Sequence, residues 1–113
     1  MLAKVILSLI LRLIFTLILS LTLSTLVGCI TTAPPLEEYT LAEVAIKAAR
    51  TVQAVRYSPG HWHQAEESYR QARILYNERE YEQAKELFIK ARISAERAEN
   101  SARLMRQQNG DIL

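Results

Sequence analysis

Residues 81–105 read "YEQAKELFIKARISAERAENSARLM". Within them Tyr81, Ala84, Phe88, Ala91, Ala95, Ala98, Ala102 and Met105 step 3-4-3-4-3-4-3. That spacing keeps every one of these residues on one face of an α-helix, as a narrow stripe of coiled-coil type. Strand-like alternation is absent, so the segment is expected to be helical from about Glu80 to Gln108. Asn109 and Gly110 then supply a stop signal.

Two further stripes lie upstream. Trp62, Ala65, Tyr69, Ala72 and Tyr76 step 3-4-3-4, and Leu41, Ala45, Ala48, Val52 and Val55 step 4-3-4-3. Ser58-Pro59-Gly60 separates them, with Ser58 placed to cap a helix and Pro59 at its first position, where a missing N–H is harmless. Thr40-Leu41-Ala42-Glu43 fits a capping box that would start the first helix at Thr40 and carry it to about Tyr57. The second is expected to end near Tyr76, with residues 77–80 as the joint to the third. The fold class that follows is all-α, a small antiparallel three-helix bundle built on a helical hairpin.

Most stripe residues are alanine. Small side chains let helix axes approach closely, but each buries little apolar area, at about 25 cal/mol per Å². The aromatics Trp62, Tyr69, Tyr76, Tyr81 and Phe88 are therefore expected to supply the hairpin core. Beyond Ala95 the third helix has few large partners left, and its end is expected to fray, project or pack on another molecule.

The first 29 residues differ in kind. Lys4 and Arg12 are their only charges, so the formal net charge of +2 arises there. The remainder balances 12 basic against 12 acidic residues, which argues against a nucleic-acid binder. A basic start, an apolar middle and a small-residue end is the layout of a secretory signal peptide. The uncharged, mostly apolar run after Arg12 is 15 residues, Leu13 to Val27, interrupted by hydroxyls at Thr16, Ser20, Thr22, Ser24 and Thr25. A membrane span needs about 20, and a longer count would enclose Arg12 at roughly 2.5–3.5 kcal/mol near the bilayer centre. A single-pass span with Arg12 snorkelling toward the surface stays open as the alternative.

Leu26-Val27-Gly28-Cys29 closely resembles the bacterial lipobox. The resemblance implies cleavage between Gly28 and Cys29, a diacylglyceryl group on the Cys29 thiol and an acylated Cys29 amine. Several acyl chains hold a protein stably where one would not. Cys29 is the only cysteine, so no disulfide can form within the chain. Ile30 stands where lipoproteins retained at the inner membrane carry Asp, which implies the periplasmic face of the outer membrane. Expected organisation is thus 1–28 signal peptide, 29–39 lipidated Cys29 and tether, 40–108 helical domain and 109–113 tail. Pro34-Pro35 favours an extended tether, reaching roughly 30 Å over nine residues at about 3.3 Å each.

The stretch "AEESYRQARILYNEREYEQAKELFIKA", residues 65–91, resembles a tetratricopeptide-type hairpin. Tyr81-x-x-Ala84-x-x-x-Phe88-x-x-Ala91 matches that family's nesting pattern, and Ala72 its small position. Arg79 stands where the family has a turn glycine, and only one unit is present. More widely, residues 36–106 resemble an uncharacterised family of small alanine-rich envelope lipoproteins, with Tyr57-Ser58-Pro59 as the shared break. That resemblance brings no catalytic residues.

Chemistry-bearing clusters are sparse. His61 and His63 point about 200° apart on a helix, and His63 with Glu66 or Glu67 falls short of the three or four ligands of a zinc site. Asp111, the only aspartate, lies near the end. The Glu66–Glu82 region alternates acid with Arg70, Arg73 and Arg79, a solvated face with Glu66 and Arg70 as an i,i+4 pair. No cofactor beyond the lipid on Cys29 is expected. The function expected is non-enzymatic: an envelope protein that holds a helical interaction surface, Trp62 to Ala91 plus the end of the third helix, toward the periplasm. A protein partner, self-association and membrane lipid are the expected contacts. A periplasmic glycan or metal binder is the third possibility.

Overall fold

The computed structural model describes residues 1–25 and 32–111 as five helices and no strand. The chain divides into two compact units, Met1–Thr31 and Thr32–Leu113. In the first, α1 (Leu2–Thr25) is one continuous helix. Its Leu2–Leu23 stretch is long and apolar enough to cross a membrane and is exposed throughout. The hydroxyls of Thr16, Ser20 and Thr22 donate to carbonyls three residues back, each at 2.9 Å. The helix thus meets part of their polar demand without water.

The second unit holds α2 (Leu36–Thr51), α3 (Ala54–Tyr57), α4 (Pro59–Asn77) and α5 (Tyr81–Gln108). The 28-residue α5 is the spine, about 42 Å long at the usual rise. Helices α2 and α4 both pack along it and touch each other far less. Along α5 the expected stripe holds as far as Ala102, with Ala84, Phe88, Ala91, Ala95, Ala98 and Ala102 buried and Met105 exposed. On α4 Trp62, Ala65 and Ala72 are buried as the spacing predicts.

The first helix departs from expectation at both ends. It begins at Leu36 behind Pro34-Pro35, and Thr40 lies inside it, donating to the Leu36 carbonyl at 2.8 Å instead of capping. The extended tether is correspondingly shorter. Glu37 and Glu38 occupy the first turn and favour the positive end of the helix dipole. The extra turn carries Tyr39 against Phe88, with ring centroids 4.9 Å apart, a tertiary gain that local capping rules do not weigh. The helix also stops early, at Thr51, because Gln53 adopts a left-handed backbone with φ 59°. Its buried face is Ala42, Ala45, Ile46, Ala49 and Val52, whereas Leu41 and Val55 are 38% and 56% exposed. The buried face is mainly alanine, with Ile46 and Val52 as its larger side chains.

Ser58 precedes α4 and Pro59 opens it, but the Ser58 side chain makes no capping bond. The α4–α5 turn is a Schellman motif. Arg79 sits at φ 63°, its N–H donates to the Tyr76 carbonyl, and the Glu80 N–H donates to Leu75. Gly110, at φ 73°, ends α5 in the same way through Gln107 and Arg106.

Candidate interaction surface

The residues expected to form an interaction hairpin are the interior of the body. Trp62, Ala72, Ala84, Phe88 and Ala91 are buried, and Tyr69, Tyr76 and Tyr81 are half-buried. Tyr69 and Tyr76 meet Phe88 edge-on with centroids 5.9 and 6.3 Å away, and Tyr76 meets Tyr81 at 5.5 Å. Tyr39 joins this ring cluster from α2 at 6.0 Å from Tyr69 and 5.6 Å from Tyr76. Tyr39 fell within the expected tether, and its sequence context "EEYT" carries no core signal.

The end of α5 does not project freely. Ala98 and Ala102 are buried in a cluster with Ala45, Ile46, Ala49 and Trp62. Beyond them the Tyr57 hydroxyl donates to Asp111 Oδ2 at 2.7 Å, and the Arg106 guanidinium lies 5.7 Å above the Tyr57 ring. The bond to Asp111 holds the Tyr57 phenol above its ordinary pKa. Ala45 belongs to the expected stripe, whereas Ile46 and Ala49 lie one residue out of step with it, which is why spacing overlooked them as partners.

An open concavity of about 570 Å³ lies between α2 and α4. Ile46 and Arg50 line it from α2, and His63, Glu66, Tyr69, Arg70, Arg73 and Ile74 from α4. A smaller hollow of about 140 Å³, between Leu36, Tyr39 and Tyr76, shares Arg73 and Asn77 with it. Sequence periodicity does place His63, Glu66, Arg70, Arg73 and Asn77 on one flank of α4, but nothing in it opposes Arg50 to them.

The charges in this groove are arranged unequally. Arg70 Nη2 binds both carboxylate oxygens of Glu67 at 2.7 and 2.6 Å, an i,i+3 pair that replaces the expected one with Glu66. Glu67 accordingly pushes the Arg70 pKa up. Arg50 lies 5.8 Å over the Trp62 ring and Arg73 5.9 Å over the Tyr69 ring. Tyr69 is pushed up to about 12 by burial, helped by its hydrogen bond with Tyr39 and the nearby Glu43 charge. On the α5 side of α2, Glu38 lies below the usual carboxylate range. A backbone N–H at the helix start and Lys85 Nζ at 3.2 Å favour its charge.

Among the described residues no group of three or more His, Cys, Asp or Glu is placed to hold a metal, and His61 and His63 are both exposed. Leu26 to Cys29, with Gly28 and the lipidation position, lie outside the described residues.

An apolar N-terminal helix followed by an alanine-packed, all-α body of four helices, three of them packed on α5, defines the class of protein. Residues 37–110 match the family described as Domain of unknown function (DUF4398), and the chain belongs to that family. The matched stretch nearly coincides with the α2–α5 body. No curated protein and no solved structure matches the chain.

Proposed function

We propose that this chain is a non-enzymatic bacterial lipoprotein, anchored through acylated Cys29, whose helical body serves as an interaction or structural module in the cell envelope. The observation that carries the reading is the sequence Leu26-Val27-Gly28-Cys29 following directly on an exposed apolar helix. Gly28 leaves a narrow backbone for a peptidase cleft, and Cys29 brings the strongest nucleophile of the segment. Ile30 favours the periplasmic face of the outer membrane over the inner membrane. The interaction surface of this reading is the outside of the body, since the hairpin aromatics are internal.

A second reading keeps α1 as a single membrane span. The continuity of the helix through Arg12 favours it. One experiment separates the two: the intact mass of membrane-extracted protein beside a Cys29→Ser variant. A wild-type species that begins at Cys29 and carries acyl chains, absent in the variant, is the expected result. An unprocessed mass beginning at Met1 in both proteins overturns the lipoprotein reading in favour of the span.

A further inference from the structure

We infer that the α2–α4 groove binds a ligand bearing both a carboxylate and an ammonium group, of the size of a short peptide, with Arg50 of α2 and Arg73 of α4 meeting the carboxylate and Glu66 of α4 the ammonium. The inference deepens the interaction half of the proposed function, on which it rests, and is independent of the lipid on Cys29.

The groove holds charges that lack an ionic partner among the described residues. Several charged residues elsewhere on the body are paired: Lys47 with Glu43, Lys85 with Glu38, Arg103 with Glu99, and within the groove Arg70 with Glu67. Arg50, Arg73 and Glu66 have no ion pair among the described residues, and all three line the same concavity. The two arginines are not merely loose surface chains. Each guanidinium lies over an aromatic ring, Trp62 for Arg50 and Tyr69 for Arg73. A guanidinium held by one face keeps its N–H edge for an in-plane acceptor, and a carboxylate matches that edge.

A simple anion fits less well. It would leave Glu66 unanswered, since beside the paired Arg70 and Glu67 the groove carries two guanidiniums and one carboxylate. A zwitterion answers both signs, with its carboxylate against Arg50 or Arg73 and its ammonium against Glu66. The volume of about 570 Å³ lies in the range of small-ligand sites. Ile46 and Ile74 add apolar contact for a side chain between the charged ends. A free amino acid and a short peptide share this chemistry and differ in span.

Trp62 is the only tryptophan, so its fluorescence reports on Arg50 directly. The full-length protein in detergent is titrated with free alanine, with tri-alanine, and with tri-alanine acetylated at the amine or amidated at the carboxyl. Backbone amide shifts of residues 46–77 are followed in parallel, so that a change in the tryptophan signal of a variant does not hide binding. Tri-alanine is expected to saturate, with shifts confined to α2 and α4. Amidation, Arg50→Gln or Arg73→Gln is expected to weaken it about tenfold or more, the usual size of a lost charge-assisted bond. Glu66→Gln is expected to abolish the preference for the free amine over the acetylated one. Saturation by alanine at equal strength identifies the ligand as an amino acid, and saturation by tri-alanine alone identifies a peptide. Absence of saturable binding by either, equal binding of all four probes, or wild-type affinity in both arginine variants overturns the inference. The mass of the Cys29 species is unaffected by any of these results, so the lipid reading stands or falls separately.

Discussion

Phe88 is the largest side chain with no exposed surface in the body, and Tyr39, Tyr69 and Tyr76 enclose it from α2 and α4. Ala42, Ala72, Ala84 and Ala91 complete its surroundings and, fixed to their backbone, cannot move inward to fill a void. Phe88→Ala is therefore expected to lower stability by about 3–5 kcal/mol, read from chemical denaturation followed by circular dichroism. Tyr69 makes a different prediction at the same scale. Its folded pKa of about 12 lies above the unfolded value of about 10, so the folded state holds the phenol proton more tightly. The stabilisation is fully present below pH 10 and is lost as pH rises through about 12. Melting temperature should fall more steeply over that window in the wild type than in Tyr69→Phe, which lacks the titrating group.

At the scale of elements, three helices of this body end through a residue with a left-handed backbone: Gln53, Arg79 and Gly110. Only the last is a glycine. A side chain in that conformation costs roughly 1–2 kcal/mol, partly offset by the greater entropy that glycine loses on folding. Gln53→Gly and Arg79→Gly are thus each expected to raise stability by about 0.5–1 kcal/mol in denaturation curves. The pattern also shows what spacing and breakers could convey. Pro59 and Gly110 mark their boundaries by their own covalent chemistry, and the α4–α5 joint fell within the expected residues 77–80. Gln53 carries no such signal, and neither does the helical turn at Leu36, which depends on Tyr39 finding Phe88 across 49 positions of sequence. Face assignment on the first helix held only in part. Ala45 and Val52 are buried as the stripe predicted, whereas Leu41 and Val55 are exposed and Ala42, Ile46 and Ala49 are buried beside them, a shift set by how α2 meets α5 and not by local hydrophobicity.

At the scale of the whole body, the aromatics Trp62, Tyr69, Tyr76, Tyr81 and Phe88 were legible as a packing set, and Trp62 and Phe88 do sit in the core. The groove was not legible, because its existence depends on α2 and α4 sharing α5 without closing on each other. That same arrangement governs how the body unfolds. Its interior divides into a cluster around Phe88 with Ala42, Ala72, Ala84 and Ala91, and a second around Trp62 with Ala45, Ile46, Ala49, Ala95, Ala98 and Ala102. Helices α2, α4 and α5 each contribute to both, so neither cluster can open without fraying elements that the other needs. Ala98→Leu tests this coupling. Ala98 is fully buried at a close helix contact, and three added carbons are expected to cost about 1–3 kcal/mol through displaced neighbours. The loss should appear as one shifted transition, with Trp62 fluorescence and helical circular dichroism coincident, as for a two-state domain. Should the fluorescence transition move while part of the dichroism signal stays at the wild-type midpoint, the two clusters unfold separately and α5 is a hinge between them, not a common spine.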